Sequence, residues 1–124
     1  MIAANNKRIR LQVTTDAGRS AYRVAPDTHD PVVLMIEDRI YRVINISATG
    51  ISCTGPELDL QMRYRVKLLL REEDQPMTLH LDVVTQRDGA YHCRFVELSE
   101  ATQEVLHQYV LQRQKQVIRQ LRID

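Results

Sequence analysis

The sequence contains no tryptophan, a single phenylalanine and only two cysteines in 124 residues. Cys53 and Cys93 each lie in an apolar segment, and no short Cys-to-Cys or Cys-to-His spacing suited to a metal ion accompanies them. The sequence therefore predicts no metal site. Two buried free thiols are favoured over a disulfide, because no secretory feature places the chain in an oxidising compartment.

Net charge and long hydrophobic runs are also nearly absent. Seventeen basic and sixteen acidic residues leave a formal charge of +1, which gives no broad field for holding DNA or an anionic membrane. No apolar run has the length of a transmembrane helix, and the first residues lack the apolar core of a secretory signal. We expect a cytoplasmic protein with no DNA binding and no membrane insertion, in which any anion is captured locally.

Short β-rich runs separated by turn residues make up most of the chain, whose length suits a single domain. Strands are predicted at residues 32–37, 40–46, 50–54, 64–70, 79–86 and 91–96, with a further strand at 8–14. No intervening segment is long enough for a crossover helix, so the strands should pair antiparallel. The predicted fold is all-β, with a closed barrel fitting the length best. Asp88-Gly89 marks its clearest hairpin.

From Ser99, a candidate N-cap, the pattern becomes helical. Apolar residues then recur at intervals of three and four: Val105, Leu106, Tyr109, Val110, Val117, Ile118 and Leu121. The first half of this helix should cover the barrel. The basic second half, 113–122, is a candidate docking face for a partner or a homodimer contact, and a solvated helix is the alternative. The predicted organisation is an N-terminal arm at 1–18, a barrel at 19–98 and a helix at 99–122.

Two polar clusters carry the candidate chemistry. Arg19 and Arg23 precede the first strand of the barrel, and their guanidinium groups can bridge a phosphate, bind the O6/N7 edge of guanine or stack on a base. Asn45 and Ser47 have strand spacing, so both side chains can address one ligand while Ile46 points into the core. Gly50 permits a positive φ or a close ligand approach. Together the clusters predict a pocket for an anionic nucleotide, although each alone fits surface arginines or an ordinary turn.

The order of these features resembles the PilZ domain. Arg19-x-x-x-Arg23 is followed by a strand, then by Asn45-x-Ser47-x-x-Gly50, a β-hairpin and a terminal helix. PilZ domains carry an R-x-x-x-R motif and a [D/N]-x-S-x-x-G motif at about this interval. The resemblance extends over residues 19–109, and the two motifs in this order and frame are strongly specific.

The resemblance implies a six-stranded antiparallel barrel with a C-terminal helix, acting as a receptor for the bacterial second messenger cyclic di-GMP without any cofactor. By position, Arg19 and Arg23 would contact phosphates and guanines. Asn45 and Ser47 would hydrogen-bond the guanine and its sugar-phosphate, and Gly50 would shape the turn beneath them. The implied partner is a signalling, motility or exopolysaccharide protein, reached through a surface that changes on ligand binding.

The chain departs from the commoner family pattern at two places. Many members have a basic residue directly before the first motif arginine, at a position associated with the number of bound ligands, and this chain has Gly18 there. Some members stack an aromatic side chain from the strand before the last turn. This chain offers Thr85, Gln86 and Arg87, among which Arg87 is the candidate contact. The resemblance therefore leaves the ligand stoichiometry open.

Two other classes of function are alternatives to a receptor. An enzyme is disfavoured, because no serine lies in a G-x-S-x-G elbow and no histidine falls in a motif with a base or a metal ligand. His92 and Cys93 are strand neighbours that point to opposite faces, which suits a surface histidine beside a core thiol. The second alternative is a PilZ-like interaction module that acts without nucleotide, but such modules typically lose the motif residues that this chain keeps.

Overall fold

The computed structural model describes residues 22–71 and 74–123. Its elements, in chain order, are β1 (Val33–Ile36), β2 (Arg39–Ile46), β3 (Gly50–Thr54), β4 (Arg63–Leu69), β5 (Met77–Arg87), β6 (Ala90–Val96) and α1 (Glu100–Ile123). The six strands from 32 onwards and the terminal helix are confirmed, with ends that differ by one or two residues. The strand predicted at 8–14 lies outside the described residues.

The strands close into one antiparallel barrel in the order β1-β2-β3-β6-β5-β4. This confirms the predicted six-stranded barrel. The hairpin between β5 and β6 turns at Asp88 and Gly89, with φ of 55° and 79°, and two consecutive positive φ values match the twist of the flanking strands. The sequence signal at Asp-Gly therefore identified the turn and its geometry.

Alternating apolar side chains from all six strands fill the barrel. Those completely buried include Leu34, Ile36, Ile46, Ile51, Leu68, Leu81 and Val83. Cys53 and Cys93 are both buried and free, which confirms the prediction of free thiols. A hydrogen bond between the two thiols, together with burial, raises the pKa of Cys93. These thiols therefore serve as core side chains.

Helix α1 begins at the predicted cap, where the Ser99 hydroxyl accepts a hydrogen bond from the Thr102 amide at 3.1 Å. Leu106, Tyr109 and Val110 are buried, so the first half of the helix covers the barrel as expected. The expectation fails for Val105, which is 44% exposed because it lies one step round the helix from Leu106.

The second half of α1 leaves three apolar side chains exposed: Val117, Ile118 and Leu121. They are spaced one, three and four residues apart, so they share one face of the helix. Polar residues interrupt the apolar pattern throughout α1.

Within residues 22–71 and 74–123, no helix is both long and apolar enough to cross a membrane.

Candidate functional site

Two of the predicted site residues meet at the end of β2. Val24 pairs with Ile46 through two backbone hydrogen bonds of 2.9 Å, which lays the segment around Arg23 antiparallel to the strand. Arg23 Nη1 then donates to Asn45 Oδ1 at 2.9 Å. The structure thus brings together residues from both motifs that are 22 positions apart. Arg19, the other predicted arginine, lies outside the described residues.

Ser47 directs its hydroxyl into the turn that follows β2. Its Oγ accepts hydrogen bonds from the amides of Thr49 at 3.2 Å and Gly50 at 3.1 Å, while the Ser47 amide donates to the Gly50 carbonyl at 2.9 Å. Only 1% of the residue is exposed, whereas Asn45 is half-buried. Ile46 between them points into the core, as expected. The side chain of Ser47 therefore holds the turn in this structure, and that of Asn45 faces the surface.

Replacing Ser47 with alanine is expected to destabilise the fold by about 1–3 kcal/mol, because two amide groups would lose their acceptor in a buried turn. Urea unfolding followed by circular dichroism measures this change. Ser99→Ala is the matched control, since it removes a hydroxyl that accepts one amide hydrogen bond at an exposed helix end. Equal stability of Ser47→Ala and the unmodified protein would contradict a role in holding the turn.

Gly50 is required by the packing of the barrel. A Cβ at this position would collide with the backbone carbonyl oxygen of Cys93 on β6. The sequence suggested a positive φ or a close ligand approach, but among the described glycines only Gly89 has a positive φ. The glycine therefore lets β3 approach β6 closely, and this fixes the turn from Ser47 to Gly50 against the barrel wall.

A row of polar side chains continues from Asn45 across the outer face of the barrel. Asn45 lies opposite Ser52, Ser52 opposite His92, and His92 opposite Thr85. The Ser52 hydroxyl and His92 Nδ1 are 2.9 Å apart. We call Asn45, Ser52, His92 and Thr85 the polar row. Sequence reasoning identified His92 as a surface residue but missed its link to the site, which depends on the register of four strands.

A second row, beside the first, carries charge. Arg63 donates to Asp82 at 2.8 Å, and this hydrogen bond holds the pKa of Asp82 below its usual value. Arg94 lies opposite Gly50 and is 66% exposed, with its guanidinium 4.0 Å from the same carboxylate. Because Asp82 pairs more closely with Arg63, it neutralises little of the charge of Arg94. The guanidinium of Arg94 therefore leaves a positive charge next to the turn.

Two concave surfaces lie near the site, one beside the turn from Ser47 to Gly50 and one beside β2. The first is a cleft of about 750 Å³ between the turn and the start of α1, and its lining includes Arg94, His107 and three glutamates, Glu97, Glu100 and Glu104. A groove of about 520 Å³ lies between the segment after Arg23 and β2, and its lining includes Ala25, Pro26, Ile40 and Ile44. The carboxylates make the first cleft unfavourable for an anion. The groove is lined by neither Arg23 nor Asn45, and it lies on the β1 side of β2, away from the polar row on β3 and β6.

The described residues contain no group of three or more histidine, cysteine, aspartate or glutamate side chains able to hold a metal ion. The site instead offers a guanidinium, a side-chain amide and an imidazole. Such groups suit recognition of phosphates and purine edges.

Comparison with protein families gives a match to the PilZ domain over residues 17–112. The chain belongs to the PilZ domain family. The match includes both motifs, all six strands and the first half of α1. PilZ domain proteins are generally receptors or adaptors. No curated protein shows significant similarity to the chain.

Solved structures share the PilZ fold with this chain. They include YcgR from Escherichia coli in complex with cyclic di-GMP (TM-score 0.67, 14% identity, covering 83% of this chain and 49% of YcgR). MrkH from K. pneumonia, in a complex with cyclic di-GMP, gives a TM-score of 0.69 at 15% identity. The match covers 84% of this chain and 56% of MrkH. The inhibitor of motility MotI/DgrA from Bacillus subtilis gives a TM-score of 0.63 at 21% identity. The match covers 79% of this chain and 51% of MotI/DgrA. The chain therefore spans about half the length of each of these three proteins.

In this PilZ domain the C-terminal helix α1 contacts the segment that follows Arg23 directly. Arg113 Nε donates to the backbone carbonyl of Ala25 at 2.8 Å, and its Nη1 donates to Gln116 at 3.1 Å. At Arg113 the basic half of the helix is thus joined to the chain two residues after Arg23. A role of this half as a docking face or homodimer contact stays a prediction.

Proposed function

We propose that this PilZ domain binds cyclic di-GMP on the outer face of its barrel, beside Arg23 and Asn45. The observation that carries the proposal is the hydrogen bond between these two side chains, which unites both family motifs at one end of β2. A dianionic ligand with two purines needs charge and edge recognition together, and the guanidinium and amide supply both. The cyclic di-GMP complexes of YcgR and MrkH support the choice of ligand.

The motif residues have different proposed roles in binding. Arg23 contacts a phosphate or a guanine, and Arg19 is proposed to approach the same ligand from earlier in the chain. Asn45 contributes an amide at the surface. Ser47 acts by fixing the turn and so places the backbone near the ligand, while Gly50 lets that turn sit close to β6.

Calorimetric titration with cyclic di-GMP tests the proposal. We expect saturable binding to the unmodified protein, and weaker binding after Arg19→Ala or Ser47→Ala. Titration with GTP is the control for simple attraction of a guanine nucleotide anion. The absence of heat and of saturation at high micromolar cyclic di-GMP would refute the receptor function. Binding that is indifferent to both substitutions would refute the site.

The domain is further proposed to act as an adaptor without catalytic activity, in the cytoplasm, by changing a surface that another protein reads. The supporting contact is the hydrogen bond between Arg113 and the Ala25 carbonyl. A ligand that moves Arg23 would also move Ala25, two residues later, and so change the position of α1 through this hydrogen bond. The partner class is a signalling, motility or exopolysaccharide protein, and MotI, an inhibitor of motility, is consistent with it.

Hydrogen exchange with and without cyclic di-GMP tests the adaptor mechanism. We expect altered protection both at residues 23–25 and in α1 around Arg113, with the far end of the barrel unchanged. In Arg113→Ala the response of the helix should disappear while the response at 23–25 persists. A ligand response confined to 23–25 in the unmodified protein would contradict coupling to the helix.

A further inference from the structure

Two β-bulges flank the middle of the polar row. In β2, Val43 lies opposite Cys53 and Asn45 opposite Ser52, so Ile44 has no opposite residue. In β5, Val83 lies opposite Cys93 and Thr85 opposite His92, so Val84 is the extra residue. Bulges are frequent next to functional sites, where they redirect a side chain.

Each bulge changes which residues face outward. Val43 and Ile46 both point into the core, although three positions separate them, and a regular strand would have placed one of the two outside. The bulge at Ile44 therefore lets Asn45 face out directly before Ile46. In β5, Val83 is buried and Thr85 is exposed on the face of His92. Both bulges thus extend the polar face on either side of the Ser52 and His92 pair.

Ser52 is an unusual member of this row, because it faces outward but is only 2% exposed. Its side chain oxygen lies 2.9 Å from His92 Nδ1, so the pair holds the imidazole ring in one orientation. In the tautomer in which Nδ1 accepts from the Ser52 hydroxyl, the other ring nitrogen, Nε2, is a donor. His92 is half-buried, which leaves part of its ring accessible to a ligand.

The row has the dimensions of a nucleotide footprint. Neighbouring strands lie about 4.8 Å apart, so the four residues from Asn45 to Thr85 span about 14 Å. His92 stands two strands from Asn45, or about 10 Å, on the same face. A ligand phosphate held by Arg23 at one end of the row would leave an attached base over Ser52 and His92.

We propose that His92 is a further ligand-contacting residue, which donates a hydrogen bond from Nε2 to the O6 atom on the O6/N7 edge of a guanine, and that Ser52 is its positioning residue. This inference rests on the proposed function, since it assigns a base contact for the same ligand. Guanine presents two acceptors at this edge, whereas adenine replaces O6 by an amino donor. His92 is therefore specificity-determining for guanine over adenine.

Titrations of cyclic di-GMP and cyclic di-AMP into the same variants test the assignment. His92→Ala should weaken cyclic di-GMP binding by about 5- to 10-fold, which lies in the upper part of the range for one lost hydrogen bond, and change cyclic di-AMP binding by less than about 2-fold. His92→Phe keeps a flat ring without the donor and should not restore the affinity. Ser52→Ala should weaken cyclic di-GMP binding by a smaller factor, about 2- to 4-fold, and leave cyclic di-AMP binding unchanged, so that the preference for guanine falls by the same smaller factor.

His80→Ala is the matched control. Like His92 on β6, His80 on β5 is a half-buried histidine on the outer face of the barrel, but it lies outside the polar row. It should leave both affinities unchanged, and thermal unfolding verifies that each variant is folded. If the unmodified protein fails to bind cyclic di-GMP, the proposed function falls. If it binds, but His92→Ala binds equally well or loses affinity for both dinucleotides alike, the assignment of His92 is wrong and the receptor function stands.

Discussion

Replacing Arg23 with alanine is expected to weaken cyclic di-GMP binding by about 10- to 100-fold, which is the usual effect of losing a hydrogen bond to a charged group. The guanidinium of Arg23 is already directed to the surface at the end of β2, where it hydrogen-bonds Asn45. Little rearrangement is therefore needed for it to receive a phosphate. Calorimetric titration of the variant measures the loss.

Two further variants make this result specific. Arg23→Lys keeps the charge but loses the planar fork, so its affinity should lie between those of the alanine variant and the unmodified protein. Arg39→Ala removes an exposed arginine from the opposite end of β2, which pairs only loosely with Glu37 at 3.8 Å. It should bind normally. Equal losses in Arg23→Ala and Arg39→Ala would mean that only the overall charge matters, contrary to a built site.

The second large effect is expected at Gly50, where alanine should destabilise the barrel by about 1–3 kcal/mol, as overpacking of a well-packed core does. The added methyl group would meet the backbone oxygen of Cys93, which cannot rotate away as a side chain can. The strands β3 and β6 would have to separate, and the turn from Ser47 would move with them. Chemical unfolding gives the change in stability.

Gly89→Asn provides the contrasting control. Gly89 has a φ of 79° and open space around its Cβ position, and asparagine tolerates a positive φ better than other residues. The substitution should therefore cost well below about 1 kcal/mol. If Gly50→Ala were as stable as Gly89→Asn, the close approach of β3 to β6 would not be what requires glycine at position 50.

Local signals in the sequence were sufficient for most of the fold. Alternation of apolar residues located the strands, Asp88-Gly89 located a hairpin turn, and Ser99 located the start of the helix. Each of these depends on neighbours within a few residues. Because the strands are short and joined closely, antiparallel pairing followed from the same information, whereas closure into a six-stranded barrel was predicted from the chain length and the family resemblance.

The site was harder to predict, because its geometry depends on contacts that are distant in sequence. A serine two residues after Asn45 fits either a ligand contact or a turn, and only the structure shows its hydroxyl bonded to the amide of Gly50. The contact between Arg113 and Ala25 joins residues 88 positions apart. No local pattern reports it. The bulges at Ile44 and Val84 are equally hidden, since their neighbours read as continuous strand.

The bulge at Ile44 has an evolutionary consequence. Deleting that one residue would restore a regular strand and keep every other amino acid. Val43, Asn45 and Ile46 would then alternate regularly, so that Val43 and Ile46 would still face the core and Asn45 the surface. The bulge thus accommodates one additional exposed residue, Ile44, without disturbing the alternation on either side of it. In homologues we expect strands that lack a residue at position 44 to pair regularly and to keep the second motif in the same place relative to the core.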